Sequence, residues 1–314
     1  MQSLDDLDVR IFREFNGPGS PQWNVRESFS TVARRLGVDE ETVRLRVQRL
    51  RERGAISSWR IAVNPRLLGY EEMGLDIEVG NESKKPEMLA LLRSLPGITQ
   101  VADFRGPGVL GIFWHNRPNP VSWLRKKLDP IGVWTLRASW TSPFPEPSVK
   151  MRVIDWRIIV SMREDARVDL RRVASELQTT ARTVQRRLSA LTEGKAIFIV
   201  ATPKFHRIAG IVCNFLVYCS DMGRKRAADA TVRQVLPRVG ILDTDPEQYS
   251  MIGVSCENLA RAEESLAQLR SLYGVDTVRF AMVREFFTVD DWVDGLLRKR
   301  VRSVPHLAKQ ARIR

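Results

Sequence analysis

Apolar positions in residues 28–56 recur every three or four residues, which is the period of an amphipathic helix. Gly37 can adopt the left-handed conformation that ends a first short helix, and Asp39 is a natural N-cap for a second. The apolar stripe of the second helix is formed by Val43, Val47 and Leu50. The polar side chains between these positions are therefore expected to face outward.

The same pattern recurs in residues 169–197, at an offset of 141. The identities fall on the apolar stripe and the turns, and include Val32/Val173, Ala33/Ala174, Leu36/Leu177, Thr42/Thr183, Val43/Val184 and Leu50/Leu191. An earlier helix begins near Asp8 in one copy and near Asp155 in the other. A β run follows each copy, at 56–65 and 197–203, and we expect it to form a β-hairpin. The pattern predicts a duplicated winged helix-turn-helix.

After each winged helix the pattern changes to short strands with intervening helices, in the order β-α-β-β-α-β. The strands of the first copy are predicted at 73–80, 99–104, 109–115 and 132–141, with helices at 85–95 and 119–128. Those of the second copy are predicted at 211–219, 239–243, 249–256 and 275–286, with helices at 225–236 and 258–274. This order is typical of a ferredoxin-like domain. The predicted fold class is α+β, a tandem repeat of a winged helix-turn-helix and a ferredoxin-like βαββαβ domain.

The repeat predicts the limits of the domains. Residues 141–150 contain three prolines and indicate a semi-rigid linker between the copies. The predicted units are a winged helix at 1–68, a ferredoxin-like domain of the effector or assembly type at 69–142, a linker at 143–150, a second winged helix at 151–207, a second ferredoxin-like domain at 208–288 and a basic C-terminal tail at 289–314.

The charge of the chain indicates a polyanionic partner, with nucleic acid ahead of acidic lipid. Its 314 residues include 50 Lys and Arg against 37 Asp and Glu, a net charge of +13. Residues 298–314 contain seven basic residues and no acidic one, so this tail could follow phosphates. A membrane-surface helix is an alternative, because Trp292, Leu296, Leu297 and Val301 fall in one helical sector. The acidic N-terminus and the lack of a long apolar run predict a cytoplasmic protein.

Cysteine and histidine give no sign of a metal centre. Cys213, Cys219 and Cys256 are widely spaced and form no CxxC pair, so buried thiols in a reducing compartment are expected. The histidines, His115, His206 and His306, are also far apart in sequence. We therefore predict neither a metal nor a cofactor.

These features together resemble the leucine-responsive regulatory protein/asparagine-operon regulator (Lrp/AsnC) family. The residues that carry the resemblance are Leu4, Asp5, Asp8, Ala33, Gly37, Thr42, Val43, Arg46, Val47, Arg49, Leu50, Glu52, Gly54 and Ile56. It covers about residues 4–286, as two fused copies. The resemblance implies sequence-specific binding of double-stranded DNA, dimerisation through the ferredoxin-like domains and often an amino-acid effector. We therefore predict a transcription regulator, not an enzyme.

The predicted DNA-binding residues lie on and beside the second helix of each turn motif. The candidates for base contacts are Thr42, Arg44, Leu45 and Gln48 in the first copy, and Arg182, Thr183, Gln185 and Arg186 in the second. Arg49, on the same outward face of the first copy, is a further DNA-binding candidate. The candidates for phosphate contacts are Arg34, Arg35, Arg60, Arg171 and Arg172. Glu40 and Glu41 oppose the approach of phosphates to the first copy, so the second copy is expected to bind more strongly. The alternative for both helices is a solvated protein-interaction module.

An effector site is only weakly indicated. The family resemblance implies a glycine, an aromatic residue and an aspartate beside such a site. The first copy offers Arg105, Gly106 and Gly108 as candidates but lacks the aromatic residue and the aspartate, and residues 243–247 of the second copy contain no glycine.

Fusion of two copies predicts a pseudo-dimer within one chain, with a homodimer as a further possibility. An alternative function is that of siroheme decarboxylases, which resemble the same family and need His and Arg around the carboxylates of a tetrapyrrole. This chain offers Arg105, His115 and His206 without an evident cluster. A further alternative is an architectural DNA binder without sequence preference.

Overall fold

The structure, a computed structural model, describes residues 4–15, 26, 28–202, 210–236, 239–244 and 247–302. The first winged helix contains α1 (Asp6–Glu14), α2 (Phe29–Leu36), α3 (Glu40–Glu52) and β1 (Ser58–Val63). The second contains α6 (Val153–Ser161), α7 (Leu170–Glu176), α8 (Ala181–Glu193) and β6 (Ile197–Thr202). The order of these helices agrees with the sequence prediction.

The described residues do not form the β-hairpin that the sequence predicts in each winged helix. Each copy instead supplies one described strand, and β1 pairs antiparallel with β6, from Ser58 opposite Thr202 to Val63 opposite Ile197. Since the backbone groups of each strand find their partners in the other copy, neither strand needs a hairpin neighbour of its own. The apolar residues of both winged helices consequently belong to one continuous core.

The ferredoxin-like domains have the predicted order of elements, and the predicted fold class is confirmed. The first contains β2 (Glu71–Val79), α4 (Lys85–Ser94), β3 (Ile98–Phe104), β4 (Gly108–His115), α5 (Pro120–Leu128) and β5 (Trp134–Ser142). The second contains β7 (Ile211–Tyr218), α9 (Met222–Val235), β8 (Val239–Thr244), β9 (Tyr249–Cys256), α10 (Leu259–Arg270) and β10 (Thr277–Thr288).

Strand β10 belongs to both ferredoxin-like sheets. Its first half pairs with β7 and its second half pairs with β3, which gives the strand order β5-β2-β4-β3-β10-β7-β9-β8. Two arginines of β10 extend this connection, because Arg279 binds Asp76 on β2 and Arg284 binds Asp103 on β3. Both carboxylates are almost completely buried. The two copies are thus joined by backbone pairing and by ion pairs.

Part of the predicted basic tail is a docked helix, α11 (Asp291–Arg302). It packs on α6, and Val293 and Leu297 are buried in the core that the two winged helices share. The Trp292 ring lies edge-on to Tyr70, with ring centroids 5.1 Å apart. This packing contradicts the alternative of a membrane-surface helix, because the apolar sector is already covered by protein. Residues 303–314, with the remaining basic side chains of the tail, lie outside the described residues.

An Asp–Arg ion pair fixes the first helix of each winged helix to the third. In the second copy Arg187 Nε and Nη2 donate to the two oxygens of Asp155, at 2.6 and 2.5 Å, and Asp155 is completely buried. In the first copy Arg46 donates to Asp8 at 3.0 Å and also binds Asp5. The second copy therefore depends on one carboxylate where the first has two.

This difference predicts unequal effects of the matching substitutions. Asp155→Ala leaves the mostly buried Arg187 without its carboxylate, and we expect the free energy of unfolding to fall by about 3–5 kcal/mol. Asp8→Ala should lower the free energy of unfolding by a smaller amount, because Asp5 still binds Arg46. Urea denaturation followed by circular dichroism measures both effects, with the exposed Arg182→Ala as a control that shifts stability by no more than about 0.5 kcal/mol. Equal losses for the two Asp variants would contradict this account.

Candidate nucleic-acid interface

Helix α8 presents a basic polar face to solvent. Thr180 caps its N-terminus by accepting from the Thr183 backbone N–H at 3.1 Å. The inward stripe consists of Val184, Leu188 and Leu191, all buried. The outward positions carry Arg182, Gln185 and Arg186, all exposed. In the part of the chain that the structure describes, neither arginine forms an ion pair, so both can bind an external acceptor.

Helix α3 has the same construction with a different electrostatic surface. Asp39 accepts from the Thr42 backbone N–H at 2.6 Å and from the Thr42 hydroxyl at 2.8 Å. These hydrogen bonds hold the pKa of Asp39 below its usual value. Since the Thr42 hydroxyl is engaged in the cap and Thr42 is half-buried, this residue has a structural role beside its predicted DNA contact.

The polar side chains of α3 are bound to one another. Arg44 donates to Glu40 at 2.7 Å and its Nε lies 3.3 Å from a Glu41 oxygen. Gln48 donates to Glu52 at 2.9 Å. Arg49 is exposed, and so is the apolar Leu45, with 46% of its surface accessible. A base or phosphate that approaches Arg44 must therefore compete with two carboxylates, whereas no such competition exists on α8.

The arginines predicted to bind phosphates differ in their surroundings. Arg34, Arg171 and Arg172 are exposed at the surface of α2 and α7. Arg35 is also exposed but lies 3.1 Å from Glu14. These four positions suit the predicted role.

Arg60 does not suit a phosphate contact, and the sequence prediction for this residue is wrong. Its side chain is 11% exposed and binds Asp290 at 2.7 Å and Glu164 at 3.1 Å. Arg163 binds the same Asp290 at 3.0 Å and Asp294 at 3.0 Å. Arg60 thus belongs to an ion-pair network that fixes the N-terminus of α11 beside β1.

The candidate effector residues Arg105, Gly106 and Gly108 form the turn between β3 and β4. Gly106 has a φ of +76°, which favours glycine, and the Arg105 backbone N–H donates to the Met282 carbonyl at 2.9 Å. Beneath the turn, the buried Lys85 donates to the carbonyls of Phe104 and Gly106. These contacts give the glycine a structural role. The Arg105 side chain is exposed.

The remaining candidates for chemistry are the cysteines and histidines. The structure confirms the expectation of buried thiols for Cys213, Cys219 and Cys256. A hydrogen bond with Cys256, together with burial, raises the pKa of Cys213. Burial lowers the pKa of His115, whereas His206 lies outside the described residues.

The described residues hold neither a metal-binding cluster nor a membrane-spanning helix. These residues contain no group of three or more His, Cys, Asp and Glu side chains placed to hold a metal ion. Among the described helices, none has the length and apolar character needed to cross a membrane.

Sequence comparison relates this chain to transcription regulators. No family model matches it. It is 37% identical over 103 residues to the HTH-type transcriptional regulator Ptr1 of Methanocaldococcus jannaschii, a match that covers 33% of this chain and 66% of Ptr1. It is 33% identical over 99 residues to the regulatory protein AsnC of Escherichia coli K12, covering 31% of this chain and 60% of AsnC. The matches span less than two thirds of these relatives.

Structure comparison extends the likeness to the whole chain. The crystal structure of the siroheme decarboxylase NirDL matches with a TM-score of 0.54 and covers 96% of this chain and 100% of NirDL. At 13% identity this match shows a common fold. The sequence matches carry more specific information, because they relate the chain to HTH-type regulators and AsnC. Over about a third of its length the chain is therefore similar in sequence to Lrp/AsnC-type transcription regulators.

Proposed function

We propose that this protein is a sequence-specific regulator of transcription that binds double-stranded DNA as a pseudo-dimer within one chain. The observation that carries the proposal is the outward face of α8, where Arg182, Gln185 and Arg186 are exposed and the two arginines have no carboxylate partner among the described residues. Arginine can bind guanine and glutamine can bind adenine through paired hydrogen bonds in the major groove. The homology to regulators supports the same function.

The shared core supports the pseudo-dimer. Helix-turn-helix proteins read two half-sites when two reading helices are held at a fixed spacing. Here β1 and β6 pair directly and the apolar residues of both winged helices pack together. The reading helices α3 and α8 therefore have a defined relation without a second chain.

The two reading helices differ in sequence, so the operator need not be symmetric. Arg44, Leu45 and Gln48 of α3 correspond to Gln185, Arg186 and Ser189 of α8. Because each helix presents different donors to the base edges, the proposal includes two unlike half-sites.

An enzymatic function has weaker support. The likeness to NirDL is one of fold, and the tetrapyrrole alternative needs His and Arg side chains that converge. Arg105 precedes β4 and His115 ends it, so the strand separates them by roughly 20 Å. A regulator accounts for the exposed arginines of α8, which an enzyme of this kind does not require.

Charge reversal on α8 should weaken DNA binding more than charge reversal on α3. We expect Arg182→Glu or Arg186→Glu to reduce affinity about tenfold or more, because an unopposed arginine is lost. Arg44→Glu should reduce it less, because Glu40 and Glu41 already bind Arg44. Fluorescence anisotropy at fixed salt measures the three affinities. The exposed Lys126→Glu on α5 carries the same charge change and serves as control, and equal losses at Arg44 and Arg186 would refute the ranking.

Selection from a random duplex pool tests the proposed operator. At about 50 and 200 mM salt, binding through phosphates alone should fall steeply, whereas sequence-specific binding should still enrich a motif. We expect an asymmetric motif with two unlike half-sites. A perfect palindrome would contradict the unlike half-sites, and retention at low salt without any motif would contradict sequence-specific reading.

A further inference from the structure

A groove of about 610 Å³ lies between the two winged helices, beside α3. This volume is within the range of small-molecule sites. The aromatic, cationic and amide side chains among those that line it include Phe29, Arg44, Gln48, Arg51, Trp59 and Arg167. Arg167 comes from the second copy and the others come from the first, so both copies contribute side chains to the groove.

Two aromatic rings and two arginines are layered in this groove. The Arg167 guanidinium carbon lies 4.9 Å from the centroid of the Phe29 ring and 5.0 Å from that of the Trp59 ring. The Arg51 guanidinium carbon lies 4.9 Å from the same Trp59 ring. Trp59 therefore brings two positive charges close together without a carboxylate between them.

The positive charge of the groove is not balanced within the described residues. Neither Arg51 nor Arg167 has an ion pair there, and Glu52, which also lines the groove, accepts from Gln48. Burial lowers the pKa of Arg167 and the neighbouring Arg26 and Arg51 lower it further, whereas the charge of Asp165 acts in the opposite direction. An anion between these guanidiniums would relieve their repulsion and form charge-assisted hydrogen bonds.

The corresponding surface of the second copy has a different character. At the offset of 141, Arg51 corresponds to Thr192, Ser57 to Phe198 and Trp59 to Val200. The linker contacts this surface, since the Phe144 ring lies 5.7 Å from the Phe198 ring. The first copy thus carries arginine and indole where the second carries an apolar surface that the linker partly covers.

We propose that the groove binds a small organic anion with a planar aromatic body, bearing a carboxylate or a phosphate. The guanidiniums of Arg51 and Arg167 would bind the anionic group through their paired N–H donors. The half-buried Phe29 ring would contact the planar body, and the buried Trp59 would hold the two guanidiniums in place. The site is separate from the turn of Arg105, Gly106 and Gly108.

Calorimetric titration of the full chain with salicylate and with phenyl phosphate, in the absence of DNA, tests this site. We expect saturable binding of at least one probe to one site per chain, with a dissociation constant below about 1 mM. Arg51→Thr, which introduces the residue of the second copy, and Arg167→Met should each weaken binding about tenfold or more. The exposed Lys126→Met on α5 should leave the affinity unchanged. The probe that binds more tightly identifies the anionic group.

Three outcomes would overturn the proposal. In the first, neither probe binds saturably. In the second, both arginine variants bind the probe as tightly as the original chain does. In the third, the small anions do not bind but both variants lose affinity for DNA, which would make the groove a contact for DNA phosphate. Because the titrations contain no DNA, their failure is distinguishable from a failure of DNA binding. Circular dichroism of the two variants confirms that each is folded.

Discussion

The pairing of β1 with β6 is the constraint on which the arrangement of the winged helices depends. Six residues of one copy pair with six residues of the other, although the two strands lie about 140 positions apart in the chain. The pairing satisfies backbone groups that a hairpin would otherwise have to satisfy, and it places the two apolar surfaces against each other. Helix α11 then covers this joint core, with Asp290 and Asp294 bound by Arg60 and Arg163 at its start. Each winged helix is therefore completed by residues outside its own repeat.

The ferredoxin-like halves are joined in a different and less symmetric way. The 12-residue β10 is long enough to pair first with β7 and then with β3. Its counterpart β5 has nine residues and ends at Ser142, where the chain turns into the linker. The linker runs toward the second winged helix, where the Ser148 backbone N–H donates to the Gly194 carbonyl at 2.9 Å. The last strands of the two copies therefore differ in length and in pairing, which would not be so in two separate identical chains.

The local pattern of the sequence predicted the elements well but not their partners across the repeat. The stripe of Val184, Leu188 and Leu191 was sufficient to predict α8 and its outward face, because helix period and burial are local properties. The strand pairs β1–β6 and β3–β10 could not be predicted, because an extended run is compatible with many distant partners. For the same reason Arg60 resembled a surface arginine, although Asp290, 230 residues later, binds it. The groove escaped prediction because Arg167 reaches Phe29 and Trp59 only when the copies are joined.

The two copies have similar folds, but the charged side chains of α3 and α8 have different partners. On α3 the carboxylates of Glu40, Glu41 and Glu52 bind Arg44 and Gln48, which are proposed DNA contacts, whereas α8 has Arg182 and Arg186 unopposed among the described residues. Arg44 and Gln48 line the groove as well as the reading face. An anion in that groove would lie beside the helix whose polar side chains are already engaged. The proposed ligand site therefore belongs to the first copy, whereas the arginines that support the proposed DNA contact belong to the second.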